Sequence, residues 1–342
     1  MRISLLILMI VASVGYTMSD ADLLANLAGS RMENSFALNT SAQQRSNVAS
    51  GQRDQQRPAS TRLGEEGCGS YELQRTLPVE LATQSKYSGR AVRVTGATMT
   101  AASWRAQSID PIWRAIRTLE PVAYREGDAC ALKIVAGWAR SRALTVASTA
   151  DAQVTRGRMI AETATLIADL GLAPPIPSDD QAEIVDWLAG IGNDTIDYFE
   201  TSAGPKTRQN NHRFWAGLAL AQIGRLSKNA AFVDWAEQTY RLGVCQIDAN
   251  GMLPLELDRG AYARNYHAYA LRPLLATQHV LKTLGRHPDR YCPGAIDRLR
   301  RTTTMAIADA GPFARLTGLP QVALPDEDTY VSALRFNRLS AF

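Results

Sequence analysis

Apolar residues recur at helical spacing along almost the whole chain after Cys68, whereas runs with the alternation of β-strands are scarce. Trp215, Ala219 and Ile223, for example, fall on one face of a helix. Loop-forming pairs such as Pro174-Pro175 and Asn250-Gly251 separate such stretches. We predict helices over residues 100–118, 130–145, 155–171, 180–199, 212–226, 230–244, 262–284 and 294–309. The pattern indicates an all-α protein without the fixed-period repeats of a solenoid, and helical pairs that close into a toroid suit 342 residues.

Pro273 falls inside the predicted helix over 262–284. A proline in a helix interior removes one amide donor and clashes with the preceding turn. The sequence therefore predicts that this helix is kinked or split.

The N-terminus has the pattern of an export signal. Met1 and Arg2 precede a short apolar run from Ile3 to Val14, which predicts a signal peptide over residues 1–19. An uncleaved tether stays open, and no later stretch is apolar for long enough to cross a bilayer. Residues 20–67 are polar and predict a flexible leader, with a short helix near residues 20–27 as the alternative. We therefore expect a periplasmic or secreted protein whose functional domain spans residues 68–342.

The chain has four cysteines, Cys68, Cys130, Cys245 and Cys292, and none forms a C-x-x-C pair. Four cysteines permit three pairings into two disulfides, and buried free thiols are the alternative. Because export favours oxidation, we expect at least one bridge.

The basic residues are mostly arginine. Five of the 37 basic side chains are lysine and 32 are arginine, in a chain of formal charge +4. Arginine suits bidentate binding of carboxylates and phosphates. The composition therefore favours an anionic partner and leaves open which one.

Two short segments concentrate polar and aromatic residues. They are Gln209–Trp215 and Arg259–His267. Arg259 and Tyr266 are seven residues apart, which returns them to one helix face about 10 Å apart along the axis. A guanidinium and a phenol on one side could hold a carboxylate while the phenol exchanges a proton.

A structural interpretation competes with this functional one. Asn210 or Asn211 could cap a helix, His212 and the histidine at 267 could be interior residues, and Trp215 could be a core residue. The structural interpretation is stronger for each residue alone, because such short motifs are weak. It is less satisfactory for all of them together, since it must explain so many polar groups near helix starts.

Several motifs resemble the mannuronate-specific alginate lyases, which belong to polysaccharide lyase family 5. The similarity runs from about Lys86 to Tyr330. The shared motifs are Asn211-His212 with Trp215, the segment Asn250–Leu257, Arg259, Tyr266-His267, Tyr269-Ala270-Leu271, Ser85-Lys86-Tyr87, and Cys130 with Trp138 and Ala139. Arg264, Gly260, Arg213 and Phe214 depart from the family pattern.

The resemblance implies a fold, a site and a disulfide. The fold is an incomplete (α/α) toroid with a deep cleft that needs no metal or other cofactor. The catalytic residues are Asn211, His212, Arg259 and Tyr266, and the substrate-binding residues are Lys86, Tyr87, Trp215, Arg264 and His267. It also implies a Cys68–Cys130 bridge, with Cys245 and Cys292 as a possible second pair.

Lyase chemistry explains these residue types. The C5 proton of a 4-linked uronate lies next to a carboxylate, and Arg259 with Asn211 could stabilise the negative charge that builds up when the proton leaves. In mannuronate the proton and O4 lie on one face, so Tyr266 could serve both, provided that Arg and His lower the pKa of a phenol from near 10. For the opposite C5 configuration, His212 is the expected base. Polymannuronate is the leading substrate, with polyglucuronate or hyaluronan-like polymers as alternatives.

Other classes of function find less support. No H-E-x-x-H motif or phosphate-binding glycine loop is present, and the Arg298–Arg301 run lacks the aromatics of a nucleic-acid site. A glycoside hydrolase needs two carboxylates across the bond. A silent polysaccharide-binding protein would not need the phenol. We therefore expect a monomeric lyase that binds an anionic polysaccharide and no nucleic acid.

Overall fold

The computed structural model describes residues 68, 76–81, 92–94, 97–99, 109–172 and 177–324, all within the unit Arg62–Phe342. Helices account for most of these residues. The helices are α1 (Asp110–Glu126), α2 (Asp128–Arg140), α3 (Ala150–Leu170), α4 (Ser178–Asp197), α5 (Asn211–Ser227), α6 (Ala230–Val244), α7 (Pro254–Leu257), α8 (Ala263–Thr283), α9 (Ala295–Ala308) and α10 (Gly311–Thr317). Shorter helical turns span Tyr198–Ser202, Thr207–Gln209, Gly260–Tyr262 and Pro288–Arg290. The all-α prediction is therefore confirmed.

Four short strands form two small sheets. They are β1 (Glu80–Leu81), β2 (Val92–Val94), β3 (Ala97–Met99) and β4 (Val146–Ala147). β1 pairs in parallel with β4, and β2 pairs antiparallel with β3. These strands are too short to form a layer of their own.

Helix α5 is the centre of the core. It packs against α3, α4, α6 and α8, and nearly all of its residues from Asn211 to Gly224 are buried. Glycine permits the close approach of α6: a Cβ atom at Gly217 would lie 2.7 Å from the Cγ2 atom of Thr239. A helix buried on all sides has no solvent-facing stripe. The side chains on its first turn are therefore held by core packing.

A two-residue connection turns α5 into α6. Lys228 ends α5 in the left-handed conformation, with φ of 54°. Asn229 then caps α6, because its side-chain oxygen accepts the amide hydrogen of Ala231 at 2.9 Å. So short a link reverses the chain, which makes α5 and α6 an antiparallel pair of the kind that the sequence predicts.

Helix α8 continues through Pro273, so of the two predicted outcomes, a kink or a split, the split is wrong. Pro273 is buried, and its neighbours Leu271 and Leu274 are almost completely removed from solvent. A proline forfeits one backbone hydrogen bond. Burial of apolar side chains on both sides offsets that loss and keeps the helix in one piece.

Both possible disulfides of the predicted pairing are present. Cys68 is bonded to Cys130 in α2, and Cys245 at the end of α6 is bonded to Cys292. The Cys68–Cys130 prediction is therefore confirmed. Within the part of the chain that the structure describes, no helix combines the length and the apolar character needed to cross a membrane.

Candidate active site

The two polar segments of the sequence meet at the start of α5. Asn210 caps this helix, because its side-chain Oδ1 accepts the amide hydrogen of His212 at 3.0 Å. Asn211 is therefore not needed as a cap. Its side chain is fully buried and turns toward the segment that leads into α8.

Glu256 joins the two segments. One of its carboxylate oxygens accepts the backbone amide of Asn211 at 2.7 Å, and the other accepts the Asn211 side-chain amide at 2.8 Å. The second oxygen also lies 3.6 Å from the Nε atom of Arg259. Burial raises the pKa of the Glu256 carboxyl, and the groups of Asn211 and Arg259 oppose that rise. The carboxylate thus links Asn211 to Arg259 in the interior.

Arg259 and Tyr266 lie side by side, as their spacing predicts. The guanidinium carbon of Arg259 is 4.6 Å from the centroid of the Tyr266 ring. Arg259 follows α7, and Tyr266 lies in the first turn of α8, so the intervening turn Gly260–Tyr262 folds one back over the other. Both side chains are partly exposed. A cation therefore lies next to a phenol at a position that an anionic ligand can approach.

His212 is neutral at physiological pH. Burial, with a further contribution from the positive charge of Arg259, lowers the pKa of the imidazole to about 4. A positive charge beside the phenol therefore comes from Arg259 and not from His212. A neutral imidazole can still accept or donate a hydrogen bond.

His267 has a structural position, contrary to the prediction that it contacts substrate. Its side chain is fully buried, and its Nε2 atom accepts the amide hydrogen of Leu253 at 2.9 Å. The Nδ1 atom must then carry the proton, and it donates to the carbonyl oxygen of Ala263 at 2.8 Å. The Nε2 bond thus ties the residue before α7 to α8, and the Nδ1 bond lies within the first turn of α8.

Trp215, which the resemblance implies as a substrate-binding residue, is also buried. Only 1% of the residue is exposed. The guanidinium carbons of Arg158 and Arg272 lie 5.2 and 5.5 Å from its ring centroid. The structural interpretation of Trp215 as a core residue is the correct one.

Arg264 is directed away from the Arg259–Tyr266 pair. Its guanidinium donates to the carbonyl oxygens of Ala306 and Val322, each at 3.2 Å, and its backbone amide donates to Gln321 at 3.1 Å. The predicted substrate contact of Arg264 is therefore replaced by a contact with the segment after α10. Lys86 and Tyr87 lie outside the described residues, so their roles stay predictions.

Glu256 is not among the residues that the sequence predicts for the site. It forms an ion pair with Arg259 and accepts two hydrogen bonds from Asn211. The only signal was the position of the carboxylate three residues before Arg259. Among the described residues, no group of three or more His, Cys, Asp or Glu side chains is arranged to hold a metal ion.

Solved structures with the same architecture define the fold class. Alginate lyase A1-III from Sphingomonas species A1 superposes with a TM-score of 0.67 at 17% identity and covers 81% of each chain. A second structure of that lyase, a histidine-to-alanine variant complexed with a tetrasaccharide, gives a TM-score of 0.66 at 17% identity, covering 81% of this chain and 80% of that one. The predicted (α/α) toroid is therefore confirmed.

The family follows from the sequence comparisons. A family model described as alginate lyase matches residues 38–313, and the chain belongs to that family. A polysaccharide lyase of Stenotrophomonas maltophilia is 32% identical over 144 residues, which cover 42% of this chain and 43% of the relative. An alginate lyase of Pseudomonas aeruginosa PAO1 is 29% identical over 206 residues, 58% of this chain and 55% of the relative. The chain thus matches about half the length of these relatives.

Proposed function

We propose that this protein is a polysaccharide lyase that cleaves alginate by β-elimination, with 4-linked mannuronate as the preferred unit and a 4,5-unsaturated uronate as the product. The observation that carries the proposal is the series of contacts from Asn211 through Glu256 and Arg259 to Tyr266. It places an amide, a guanidinium and a phenol within one small volume. Membership of the alginate lyase family supports the same reaction.

Arg259 and Asn211 act on the carboxylate of the sugar. Removal of the C5 proton turns that carboxylate into an enolate-like group that carries more negative charge. The planar guanidinium of Arg259 suits two carboxylate oxygens. The Asn211 amide has two N–H groups, and only one is needed for Glu256, so the other can donate to a carboxylate that reaches the buried start of α5.

Tyr266 carries the proton. In a mannuronate unit the C5 hydrogen and the glycosidic O4 lie on the same face, so one phenolate can take the first and, as a phenol, protonate the second. The positive charge of Arg259, whose guanidinium carbon lies 4.6 Å from the Tyr266 ring centroid, stabilises the phenolate. His212 is neutral and adds no charge. For a unit of opposite C5 configuration, the neutral imidazole of His212 accepts the proton and Tyr266 donates to O4.

The remaining predictions fit an exported enzyme. A signal peptide over residues 1–19 directs the chain to the periplasm or the medium, residues 20–67 connect it to the catalytic domain at 68–342, and the enzyme acts as a monomer on an anionic polysaccharide. The family match begins at residue 38, inside the connecting stretch. Two disulfides support an oxidising compartment. Lys86 and Tyr87 are proposed as further substrate-binding residues.

The test is an ultraviolet absorbance assay of the unsaturated product with polymannuronate, polyguluronate, polyglucuronate and hyaluronan. We expect the highest kcat/KM on polymannuronate. Tyr266→Phe should abolish turnover and leave binding of the polymer within about threefold, because only the hydroxyl is lost. Tyr124→Phe is the matched control at a residue that is 84% exposed, and it should behave as the native enzyme.

Two results would contradict the proposal. Turnover by Tyr266→Phe at the native rate would exclude Tyr266 as the proton carrier. Absence of product from all four polymers, with binding retained, would favour a non-catalytic polysaccharide-binding protein.

A further inference from the structure

A second cationic group lies beyond Tyr266, formed by Arg158 of α3 and Arg272 of α8. Both side chains contact one carboxylate oxygen of Glu162: the Arg158 Nε atom lies 3.0 Å from it and an Arg272 nitrogen lies 3.5 Å from it. Guanidinium groups stay protonated in proteins. We call Arg158 and Arg272 the arginine pair. Together with Glu162 they carry a net formal charge of +1.

Aromatic rings hold the arginine pair in place. The guanidinium carbon of Arg158 is 5.2 Å from the Trp215 centroid and 5.1 Å from that of Tyr269, and that of Arg272 is 5.5 Å from Trp215. Cation–π contacts of this kind fix the guanidinium orientation. The Arg158 and Arg272 side chains remain 28% and 26% exposed, although Trp215 beneath them is buried. Solvent therefore reaches the two arginine side chains, while the indole stays covered.

The arginine pair follows the proposed catalytic residues along α8. Tyr266, Tyr269 and Arg272 are spaced by three residues each, so each lies next to the following one on the helix surface, with Arg272 about 120° around the axis from Tyr266. The Tyr266 and Tyr269 ring centroids are 6.3 Å apart. Six residues of helix correspond to about 9 Å along the axis.

The charge balance favours a further anion at this position. Burial and the neighbouring charge of Arg158 lower the pKa of Arg272, and Glu162 opposes that change. Two guanidinium groups beside one carboxylate leave a formal surplus of one positive charge in a partly buried place. A second carboxylate would take bidentate hydrogen bonds from such a pair.

We propose that Arg158 and Arg272 form a subsite for the carboxylate of a uronate that neighbours the unit whose C5 proton is removed. This inference rests on the proposed lyase function and deepens it. It defines the substrate class as a polymer with carboxylates on neighbouring sugars. Polymannuronate and polyglucuronate meet that condition, whereas hyaluronan alternates uronate with a neutral sugar.

The first test replaces Arg272 with glutamine and measures KM and kcat on polymannuronate. We expect KM to rise about tenfold, because one charge-assisted hydrogen bond to the substrate is lost. The value of kcat should stay within about twofold of the native one, because the catalytic residues are unchanged. Arg272→Lys keeps the charge and should recover most of the loss. The dependence of kcat/KM on salt should become shallower in Arg272→Gln, because one attraction that salt screens is gone. Arg158→Gln should act in the same direction.

A matched control is Arg290→Gln, at an exposed arginine that lies beyond the C-terminal end of α8 and contacts Glu237. Its KM on polymannuronate should equal that of the native enzyme. Thermal unfolding of every variant separates a loss of fold from a loss of binding. Unchanged KM and salt dependence in both Arg272→Gln and Arg158→Gln would overturn the subsite.

Binding measurements separate this inference from the proposed function. Calorimetric titration with a mannuronate tetramer needs no turnover. If the native chain binds the tetramer without cleaving it, the lyase function fails, and about tenfold weaker binding by Arg272→Gln still supports the subsite. Equal binding by the two proteins, or binding by neither, overturns it.

Discussion

Replacing Glu256 with glutamine tests whether one buried carboxylate positions the proposed catalytic residues. The native carboxylate accepts the backbone amide of Asn211 at 2.7 Å and its side-chain amide at 2.8 Å. A glutamine amide has a single acceptor oxygen, so one of these donors meets an NH2 group instead. A buried hydrogen bond to a charged group contributes about 1.5–3 kcal/mol. We therefore expect the free energy of unfolding to fall by about 2 kcal/mol.

The same change should lower kcat. Arg259 loses the carboxylate that lies 3.6 Å from its Nε atom, and Asn211 loses the bond that sets the direction of its amide. Displacement of catalytic groups by about 1 Å costs on the order of a hundredfold in rate. We expect kcat on polymannuronate to fall by about tenfold to a hundredfold. Initial rates at saturating polymer and urea unfolding monitored by circular dichroism measure the two effects.

Glu237→Gln provides the matched control. Glu237 is another buried glutamate, and its carboxylate accepts from Arg286 at 3.0 Å and from the Tyr291 hydroxyl at 2.9 Å. This variant should lose a comparable amount of stability and keep the native kcat. The positioning role of Glu256 would be refuted if Glu256→Gln kept the native kcat, or if both variants lowered kcat alike.

Three further outcomes concern stability. The pKa of His267 is about 4 in the folded chain and 6.5 in the unfolded chain. Between these values the unfolded chain binds the proton more readily, so acidification from about pH 6.5 to 4 should lower the free energy of unfolding by about 3 kcal/mol. Urea unfolding across that range measures this loss; His267→Gln should show a shallower dependence, and an unchanged slope would exclude His267 as its source. Replacing Cys245 and Cys292 with serine opens a loop with a sequence separation of 47 and should cost about 4 kcal/mol of chain entropy, so an unaltered urea midpoint would contradict it. Asn210→Ala removes the cap of α5 and should cost about 1 kcal/mol, seen as a lower Tm.

The helices were largely predictable because their signals are local. Apolar spacing locates α6 at the bounds that the structure has. One departure is α1, which runs past Pro121 to Glu126 although the prediction ended at residue 118. Val122 and Ala123 are buried against Cys130 and Ala131 of α2. Packing against α2 extends α1. The apolar pattern of the α1 segment alone does not indicate this packing.

The site was predictable in part, through motif spacing. Asn211 and Arg259 meet, but the carboxylate that joins them belongs to α7, a one-turn helix too short to leave a periodic signal. Burial was harder to predict. Trp215 and His267 match the motif of a sugar-binding lyase, yet both lie inside the protein because of the helices that pack around α5 and α8. Which face of a helix is covered depends on tertiary neighbours, and residue type alone does not decide it.

The position of the proposed catalytic asparagine on the first turn of α5 ties turnover to the survival of the interior. Any motion that released Asn211 would have to dismantle the helix against which four others rest. Heating should therefore produce no partially active intermediate: the curve of residual turnover and the calorimetric melting curve should superimpose.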